Sequence, residues 1–273
     1  MTTLRVRIRC LFIVALLLIS TGLSQKPSFA WGSKGHQIIA HLAAERLSSR
    51  ARKGVADLLG RASLESVANW ADQMKANRDD HFLRIPLERN SYDAETDCIG
   101  GNCLIKAIEN NISILSDYDK PPAARAEALR YIVHFIGDLH QPLHCANNND
   151  ASGSKFPVSF FGVPTNLLKV WDEDIIDTIW DEYAVKLGKV DFAAYDDQLS
   201  SMMDGKAQNG AGYTKGTITD WALDSHRLAR NAYPAKGDTN LAEDYYNTNK
   251  PIVNEQLFKA GVRLAKVLND IFR

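Results

Sequence analysis

The sequence predicts a mainly α-helical protein that forms a single domain. Apolar residues recur at helical spacing in five long segments. Only one short stretch, residues 158–162, has the composition of a strand, and we expect it in a short β-hairpin near residues 156–163. No internal repeat and no long linker interrupts the sequence. The helical segments are residues 104–117, 123–140, 191–204, 217–232 and 253–272.

The first 30 residues have the features of a secretory signal peptide. Three arginines precede an apolar run over residues 10–19, and Ser28-Phe29-Ala30 provides a small-x-small cleavage signal. We therefore expect residues 1–30 to be removed and the protein to be secreted or periplasmic. The alternative is an uncleaved membrane anchor, but this run is shorter than the about 20 apolar residues that a spanning helix needs.

Removal of this segment would leave residues 31–273 as one domain of 243 residues, enough for a full hydrophobic core. The net charge would change from −1 to −5, because the segment carries four Lys/Arg and no Asp/Glu. A mildly acidic protein does not hold a phosphate backbone by general electrostatics. Chemistry on nucleic acids would therefore need local positive charge, which bound metal ions can supply.

Local patterns predict three further elements. An apolar stripe at helical spacing continues from Trp31 to Leu47, and another helix leads from Asn166 to Trp180. The glycine-rich stretch 205–216 is expected to be a loop.

The cysteines fit an exported protein. Cys98 and Cys103 flank Ile-Gly-Gly-Asn, and an oxidising compartment allows them to close this small loop as a disulfide. The alternative is a zinc site, but two cysteines alone make a poor one. Cys145 is then unpaired, and we expect it to be buried as a small apolar residue.

One segment, residues 131–144, holds three of the seven histidines. His134 and Asp138 are four residues apart, so a helix presents them on one face. Pro142 ends the helix, and the following turn can bring His144 back beside Asp138. Converging imidazole and carboxylate groups favour a divalent metal, with zinc the first candidate. The alternative is a buried helix that carries histidines by chance.

Further candidate donors lie nearer the N-terminus. Cleavage before Trp31 would free an α-amino group with a pKa of about 7.7–8.0, and this neutral nitrogen could bind metal together with the Trp31 carbonyl. His36 is close enough in sequence to join it, whereas His41 is off its helical face and is expected to be structural or on the surface. Asp72 and His81 are weak candidates for metal ligands when taken alone, and stronger ones when considered together with residues 131–144.

These motifs, in this order, resemble the S1/P1 nuclease family, secreted enzymes related in fold to bacterial zinc-dependent phospholipase C. The resemblance covers residues 31–273 and is most specific at His134-Phe135-Ile136-Gly137-Asp138-Leu139-His140-Gln141-Pro142-Leu143-His144. It implies a mainly helical fold with three zinc ions at the base of a cleft. The other matching motifs are Trp31-Gly32-Ser33-Lys34-Gly35-His36, Trp70-Ala71-Asp72, His81-Phe82, Asn166-Leu167-Leu168-Lys169-Val170-Trp171-Asp172 and Trp221-Ala222-Leu223-Asp224-Ser225.

The resemblance also implies which residues hold each ion. Asp138 would bridge two of the ions. The first would be completed by Asp72, His81 and His134. The second would be completed by His36 and by the amino nitrogen and carbonyl of Trp31. His144 and Asp172 would hold the third.

The chain departs from the family pattern at three places. The third ion's remaining ligand in the family is a histidine at the position of Leu168, and leucine cannot bind metal. The resemblance thus supports the bridged pair and leaves the third site with two protein donors. The segment Asp150-Ala151-Ser152-Gly153-Ser154 lacks the asparagine that the family places near the nucleobase, and Asp224 replaces the usual glutamate.

Several residues are expected to act beyond plain metal binding. The resemblance implies catalytic roles for Asp72 and Lys75, because family members often place Arg or Lys three residues after this aspartate, where Lys75 would stabilise negative charge on the reacting phosphate. Phe82 matches the family's stacking residue, and stacking favours unpaired bases; the alternative for Phe82 is core packing. His140 could support a metal ligand or be structural, and His226 is expected at the surface or at a helix cap.

The resemblance implies a secreted zinc-dependent endonuclease that hydrolyses phosphodiester bonds of single-stranded DNA and RNA, with 3′-nucleotidase activity as an extension. A phospholipase C-like phosphodiesterase is one alternative. Another is a zinc-bearing protein whose turnover is reduced because Leu168 replaces a ligand. Beyond the nucleic acid or nucleotide substrate, no stable protein partner and no transmembrane anchor after processing are implied.

Overall fold

The computed structural model describes residues 31–74, 78–188, 191–207 and 212–273. The predicted signal peptide, residues 1–30, lies outside the described residues, and so does Lys75. The described part of the chain is mainly helical, as predicted. Across these ranges, no helix combines the length and the apolar character needed to cross a membrane.

Long helices form the core of the protein and short helical turns connect them. The α-helices are α1 (Ser33–Glu45), α2 (Ser49–Leu59), α3 (Leu64–Val67), α4 (Trp70–Gln73), α5 (Ala94–Asp97), α6 (Leu104–Ser116), α7 (Pro122–Leu139), α8 (Leu167–Lys169), α9 (Ile175–Leu187), α10 (Phe192–Ala207), α11 (Ile218–Ala232) and α12 (Glu243–Ile271). 3₁₀ turns occur at Arg78–His81, Ile99–Gly101 and Pro142–Cys145, and a π-helical turn at Val170–Asp174.

The strands are short and form two small sheets. The first pairs β1 (Ile85–Pro86) in parallel with β2 (Ala146–Asn147). The second contains the predicted hairpin, in which β3 (Pro157–Phe160) runs antiparallel to β4 (Val163–Asn166), and β5 (Asn240–Leu241) adds in parallel to β3. The hairpin turn, Phe161-Gly162, has φ values of +47° and +81°, as a two-residue turn of the primed type requires.

Two helix boundaries differ from the predictions. Helix α12 begins at Glu243 and runs through Pro251, whereas the pattern placed its start after this proline. Tyr246 and Asn249 in its first two turns are buried, so packing outweighs the backbone hydrogen bond that the proline cannot donate. Helix α10 continues to Ala207, into the stretch that was expected to be a loop.

Helix α7 lies at the centre of the protein, where it packs against α6, α1 and α12. Every residue from Ile132 to Leu139 is buried, including His134 and Asp138. Buried polar groups need partners, so the position of α7 forces neighbouring elements to supply them.

The cysteines are arranged as predicted. Cys98 and Cys103 form a disulfide. Cys145 is unpaired and fully buried.

Candidate metal centre

The centre begins with two residues on one face of α7. His134 Nε2 lies 3.4 Å from Asp138 Oδ2, and both side chains are fully buried. This contact follows from their spacing of four residues.

Two residues from preceding segments complete one side of this pair. His81, in the 3₁₀ turn, places its Nδ1 2.9 Å from Asp138 Oδ2 and 3.2 Å from His134 Nε2. Asp72, in α4, places its Oδ1 3.2 Å from His134 Nε2. The four residues expected to share one ion therefore come together.

His36, from α1, approaches Asp138 from the other side. Its Nε2 lies 3.3 Å from Asp138 Oδ1, and its ring stacks on that of His134 with centroids 4.0 Å apart. The two oxygens of Asp138 thus face different histidines. This is the arrangement that a bridging carboxylate requires, and the bridging role of Asp138 remains a prediction.

Gly137 makes room for His36. A Cβ at position 137 would lie 2.7 Å from His36 Nδ1 and 2.9 Å from its Cε1, closer than side chains tolerate. The glycine beside Asp138 therefore allows the His36 ring to reach the carboxylate.

Backbone carbonyls form hydrogen bonds with one ring nitrogen of His134 and one of His144. His134 Nδ1 is 2.8 Å from the carbonyl oxygen of Ala68, and His144 Nδ1 is 2.8 Å from that of His81. A carbonyl only accepts, so Nδ1 carries a proton in each ring, and in the neutral imidazole Nε2 then has the lone pair that can bind a metal. Backbone carbonyls commonly orient histidine ligands of metal ions in this way.

The electrostatics of the cluster suit a cation. Burial raises the pKa of Asp138 well above its usual range and lowers that of His36 well below its own. Burial also lowers the pKa of His144 to about 3. For His134, burial lowers the pKa, but the carboxylates of Asp138 and Asp72 outweigh it and the pKa is raised.

Buried polar atoms without hydrogen-bond partners provide the test of whether a metal fits. Such atoms cost about 1–3 kcal/mol each when nothing satisfies them. Divalent ions would satisfy this set, because imidazole nitrogen and carboxylate oxygen are the donors that zinc accepts. They include Nε2 of His36, Oδ1 of Asp72, Oδ1 of Asp138 and Nε2 of His144.

Among the described residues, two sets of donor atoms lie within 4.8 Å of one another. One set is His81, His134 and Asp138, and the other is His36, Asp72 and His134. Since His134 belongs to both, the five residues form one continuous cluster. His36 lies near Asp72 as well as near Asp138. The donors expected for the two ions are therefore in contact with each other and do not form two separate sets.

His144 and Asp172 lie beside this cluster rather than within it. His144 Nε2 is 3.9 Å from Asp172 Oδ1, and Gln141 donates a hydrogen bond of 2.6 Å to the same oxygen. Leu168, at the position of the missing histidine, is 1% exposed and packs in the hydrophobic core.

The N-terminal segment is anchored next to Asp172. Gly32 donates its backbone N–H to the Asp172 carbonyl at 2.6 Å, and Trp31 is fully buried. A Cβ on Gly32 would lie 2.6 Å from Glu173 Cγ, so the close approach needs glycine. Trp31 is thereby held one turn before His36, and its role as a ligand remains a prediction.

Phe82 packs against a predicted ligand. Its ring stacks on that of His144 with centroids 4.2 Å apart, and the residue is 8% exposed. The guanidinium of Arg84 lies 5.8 Å from the same ring. The stacking role of Phe82 remains a prediction, and so does the catalytic role of Lys75, which lies outside the described residues.

The other histidines are structural. His41 pairs with Glu65 and is partly exposed. His140 is buried with Nδ1 2.7 Å from the Ile136 carbonyl and Nε2 2.9 Å from a nitrogen of Arg263, so both ring nitrogens are engaged.

The surface prediction for His226 is wrong. His226 is buried, and its ring nitrogens lie 2.9 Å from the Cys145 carbonyl and 2.6 Å from the Arg89 carbonyl. Both partners are distant in sequence, so no local pattern indicates this role.

Two supporting residues, Gln141 and Gly137, have roles that the sequence reasoning missed. The only signal was their position inside the central motif. Gln141 orients Asp172, and Gly137 admits His36.

The helical fold and the buried cluster define a protein whose histidines and aspartates converge as donors that could hold a divalent metal ion. The chain belongs to the S1/P1 Nuclease family, which matches residues 31–273. This confirms the resemblance drawn from the motifs and indicates a hydrolase that acts on phosphodiester bonds.

Individual relatives are similar over most of their length. Endonuclease 2 from Arabidopsis thaliana is 30% identical over 282 residues, covering 89% of this chain and 90% of that protein. Nuclease S1 from Aspergillus oryzae is 29% identical over 271 residues, covering 89% and 92%. Nuclease P1 from Penicillium citrinum is 30% identical over 268 residues, covering 88% and 97%.

Proposed function

We propose that this protein is an exported zinc-dependent endonuclease that hydrolyses phosphodiester bonds of single-stranded DNA and RNA. The observation that carries the proposal is Asp138, a buried carboxylate whose two oxygens face different histidines. The membership of the chain in a nuclease family supports nucleic acid as the substrate class.

Zinc is the proposed metal because the donors are imidazoles and carboxylates in a buried, compact cluster. When bound, zinc would supply the Lewis acidity and the activated water that phosphodiester hydrolysis needs near neutral pH. Asp72, His81 and His134 would hold one ion and His36 another, with Asp138 shared between them. The Trp31 amino nitrogen and carbonyl would join His36.

The protein itself supplies rigidity and a dry environment. The Ala68 carbonyl fixes the His134 ring, and the buried α7 holds Asp138 so that neither ligand has to reorganise when substrate binds. Lys75 would stabilise negative charge on the phosphate during attack. Its spacing of three residues from Asp72 in the sequence supports this role.

Preference for single strands would come from stacking. Phe82 lies directly against His144, and the Arg84 side chain beside it is half exposed and paired with Asp79. An unpaired base can reach such an aromatic edge, whereas a paired base remains in its own stack.

Export and cleavage before Trp31 are part of the proposal. The basic and apolar composition of residues 1–30 supports them, and the family match begins at Trp31. Cleavage there would convert the Trp31 amide into the amine that the second ion needs.

A single assay tests the proposal. The processed protein is incubated with single-stranded DNA, duplex DNA, RNA and a phosphocholine ester, each with and without a metal chelator. We expect cleavage of single-stranded DNA and RNA that the chelator abolishes and added zinc restores. Hydrolysis of the phosphocholine ester alone would contradict this proposal and indicate a phospholipase C-like activity. If none of the substrates is hydrolysed, the proposal that the protein is an active phosphodiesterase is refuted.

A further inference from the structure

We propose that this protein binds two zinc ions tightly at Asp138 and a third only weakly, between His144 and Asp172, because Leu168 has removed the third donor. The inference rests on the proposed function, since it concerns the metal content of the same centre. The expected metal content of this chain therefore differs from that of a protein that binds all three zinc ions tightly.

The two remaining donors are oriented towards each other. His144 presents an unpartnered, fully buried Nε2, because its Nδ1 donates to the His81 carbonyl. This Nε2 lies 3.9 Å from Asp172 Oδ1, close enough for both atoms to bind one ion.

Gln141 fixes the Asp172 carboxylate. The Leu143 N–H donates to Gln141 Oε1 at 2.6 Å, which identifies the amide oxygen. The Gln141 NH₂ group must therefore be the one that donates to Asp172 Oδ1 at 2.6 Å. This hydrogen bond holds the carboxylate in place and also competes for the oxygen that faces His144.

Leu168 lies in the same helical segment as Asp172, where it offers no third donor. It is four residues before Asp172 in a continuous helical segment, so the two side chains share one side of it. Leucine offers no lone pair, and its backbone N–H is bonded to the Gly153 carbonyl at 3.3 Å. The Asn166 side chain also caps this turn, so the segment is held in place.

The adjoining loop has one carboxylate that could replace the histidine. Asp150 is buried, and its Oδ1 accepts hydrogen bonds from Gly153 N at 2.9 Å and from the Tyr233 hydroxyl at 3.2 Å. Its Oδ2 is buried without a hydrogen-bond partner, but no set of three converging donor atoms among the described residues contains His144 or Asp172. These two residues are therefore the protein donors of the third site.

Donor number then decides the order of metal loss. Zinc sites in proteins use at least three protein ligands, so two donors leave coordination positions to water or to a substrate oxygen. The cluster around Asp138 instead has five converging side chains for two ions, and the Trp31 amine and carbonyl would add two donors to the ion that His36 holds. The ion between His144 and Asp172 should therefore exchange first.

The test counts zinc and does not depend on activity. Processed wild-type protein, Leu168→His and Leu168→Gln are loaded with zinc and dialysed together against a weak chelator, and zinc per chain is measured by mass spectrometry. Leu168→Gln is the control, because it adds a polar side chain that is a poor zinc ligand. Circular dichroism verifies that each variant is folded.

We expect about two zinc ions per chain in wild type and Leu168→Gln and about three in Leu168→His, because the histidine adds a third donor. Three ions in wild type would overturn the inference, with Asp150 as the replacement donor to test. A gain of zinc in Leu168→Gln, or none in folded Leu168→His, would overturn it as well. Wild type that retains no zinc would refute the Asp138 centre itself, and the wild-type count remains decisive if the variants fail to fold.

Discussion

Replacing Gly137 with alanine tests whether the cluster depends on the position of His36. The added Cβ would lie 2.7 Å from His36 Nδ1, and an ordinary contact begins near 3.4 Å, so the ring would have to move by about 0.7 Å. Metal sites tolerate displacements of about 0.5 Å, so this movement is enough to weaken the ion that His36 holds.

The fold should survive Gly137→Ala. Overpacking in a core costs about 1–3 kcal/mol, whereas alanine stabilises a helix interior by about 0.8–1 kcal/mol relative to glycine. The net loss is then about 0–2 kcal/mol, which most domains tolerate. The His36 ring also stacks on that of His134, which limits the directions in which it can move.

The matched control is Gly54→Ala. Its added Cβ would meet the ring of Phe272, near the C-terminus, at 2.3 Å, a steric conflict of the same kind far from the donors. We expect Gly137→Ala to lose about one zinc per chain and at least about 10-fold in activity, as disturbed metal ligation typically causes. Gly54→Ala should keep both. Equal zinc content and activity in the two variants would refute the role assigned to Gly137.

Three further predictions concern single residues. A tag left ahead of Trp31 converts its amine to an amide, so the tagged protein should hold about one zinc fewer than the processed form; equal zinc in both would argue against an N-terminal ligand. Phe82→Leu should weaken binding of single-stranded DNA by about 1–3 kcal/mol, seen as a raised KM; an unchanged KM would limit Phe82 to core packing. His226→Leu should lower the free energy of unfolding in urea by about 1–3 kcal/mol, because its ring N–H donates to one of two facing carbonyls, Cys145 or Arg89, and that carbonyl loses its donor; wild-type stability would contradict that pairing.

The sequence predicted the features that depend on local spacing. Helix α7 and its His134–Asp138 pair follow from apolar periodicity and a separation of four residues. The β3–β4 hairpin and the Cys98–Cys103 disulfide likewise depend on neighbours in sequence. Family resemblance then indicated that distant donors, such as His36, converge on the same carboxylate.

Features that depend on long-range packing could not be predicted. His226 bonds to carbonyls 81 and 137 residues away, and no short pattern reveals such partners. The strands β1 and β2 contain two residues each, which is too few to show a periodicity. The start of α12 was missed because Pro251 resembles a stop signal, whereas buried residues before it extend the helix.

Gly137 illustrates a different limit. Glycine in a helix interior usually weakens it, so the sequence offers no local reason for this residue. Its reason is the distance to His36, a residue 101 positions earlier. The spatial role of such a residue emerges only when the two helices are seen together.

The central claim is that Asp138 joins two zinc ions in a centre that cleaves single-stranded nucleic acid. Its most direct test compares wild type with Asp138→Asn, which keeps the size of the side chain and removes its charge. Both proteins are stripped of metal, reconstituted with zinc, and assayed for zinc per chain and for hydrolysis of single-stranded DNA. The account predicts that wild type regains activity, while folded Asp138→Asn binds less zinc and is at least about 100-fold less active, more than loss of a supporting residue costs. Full zinc content and wild-type hydrolysis in Asp138→Asn would contradict it.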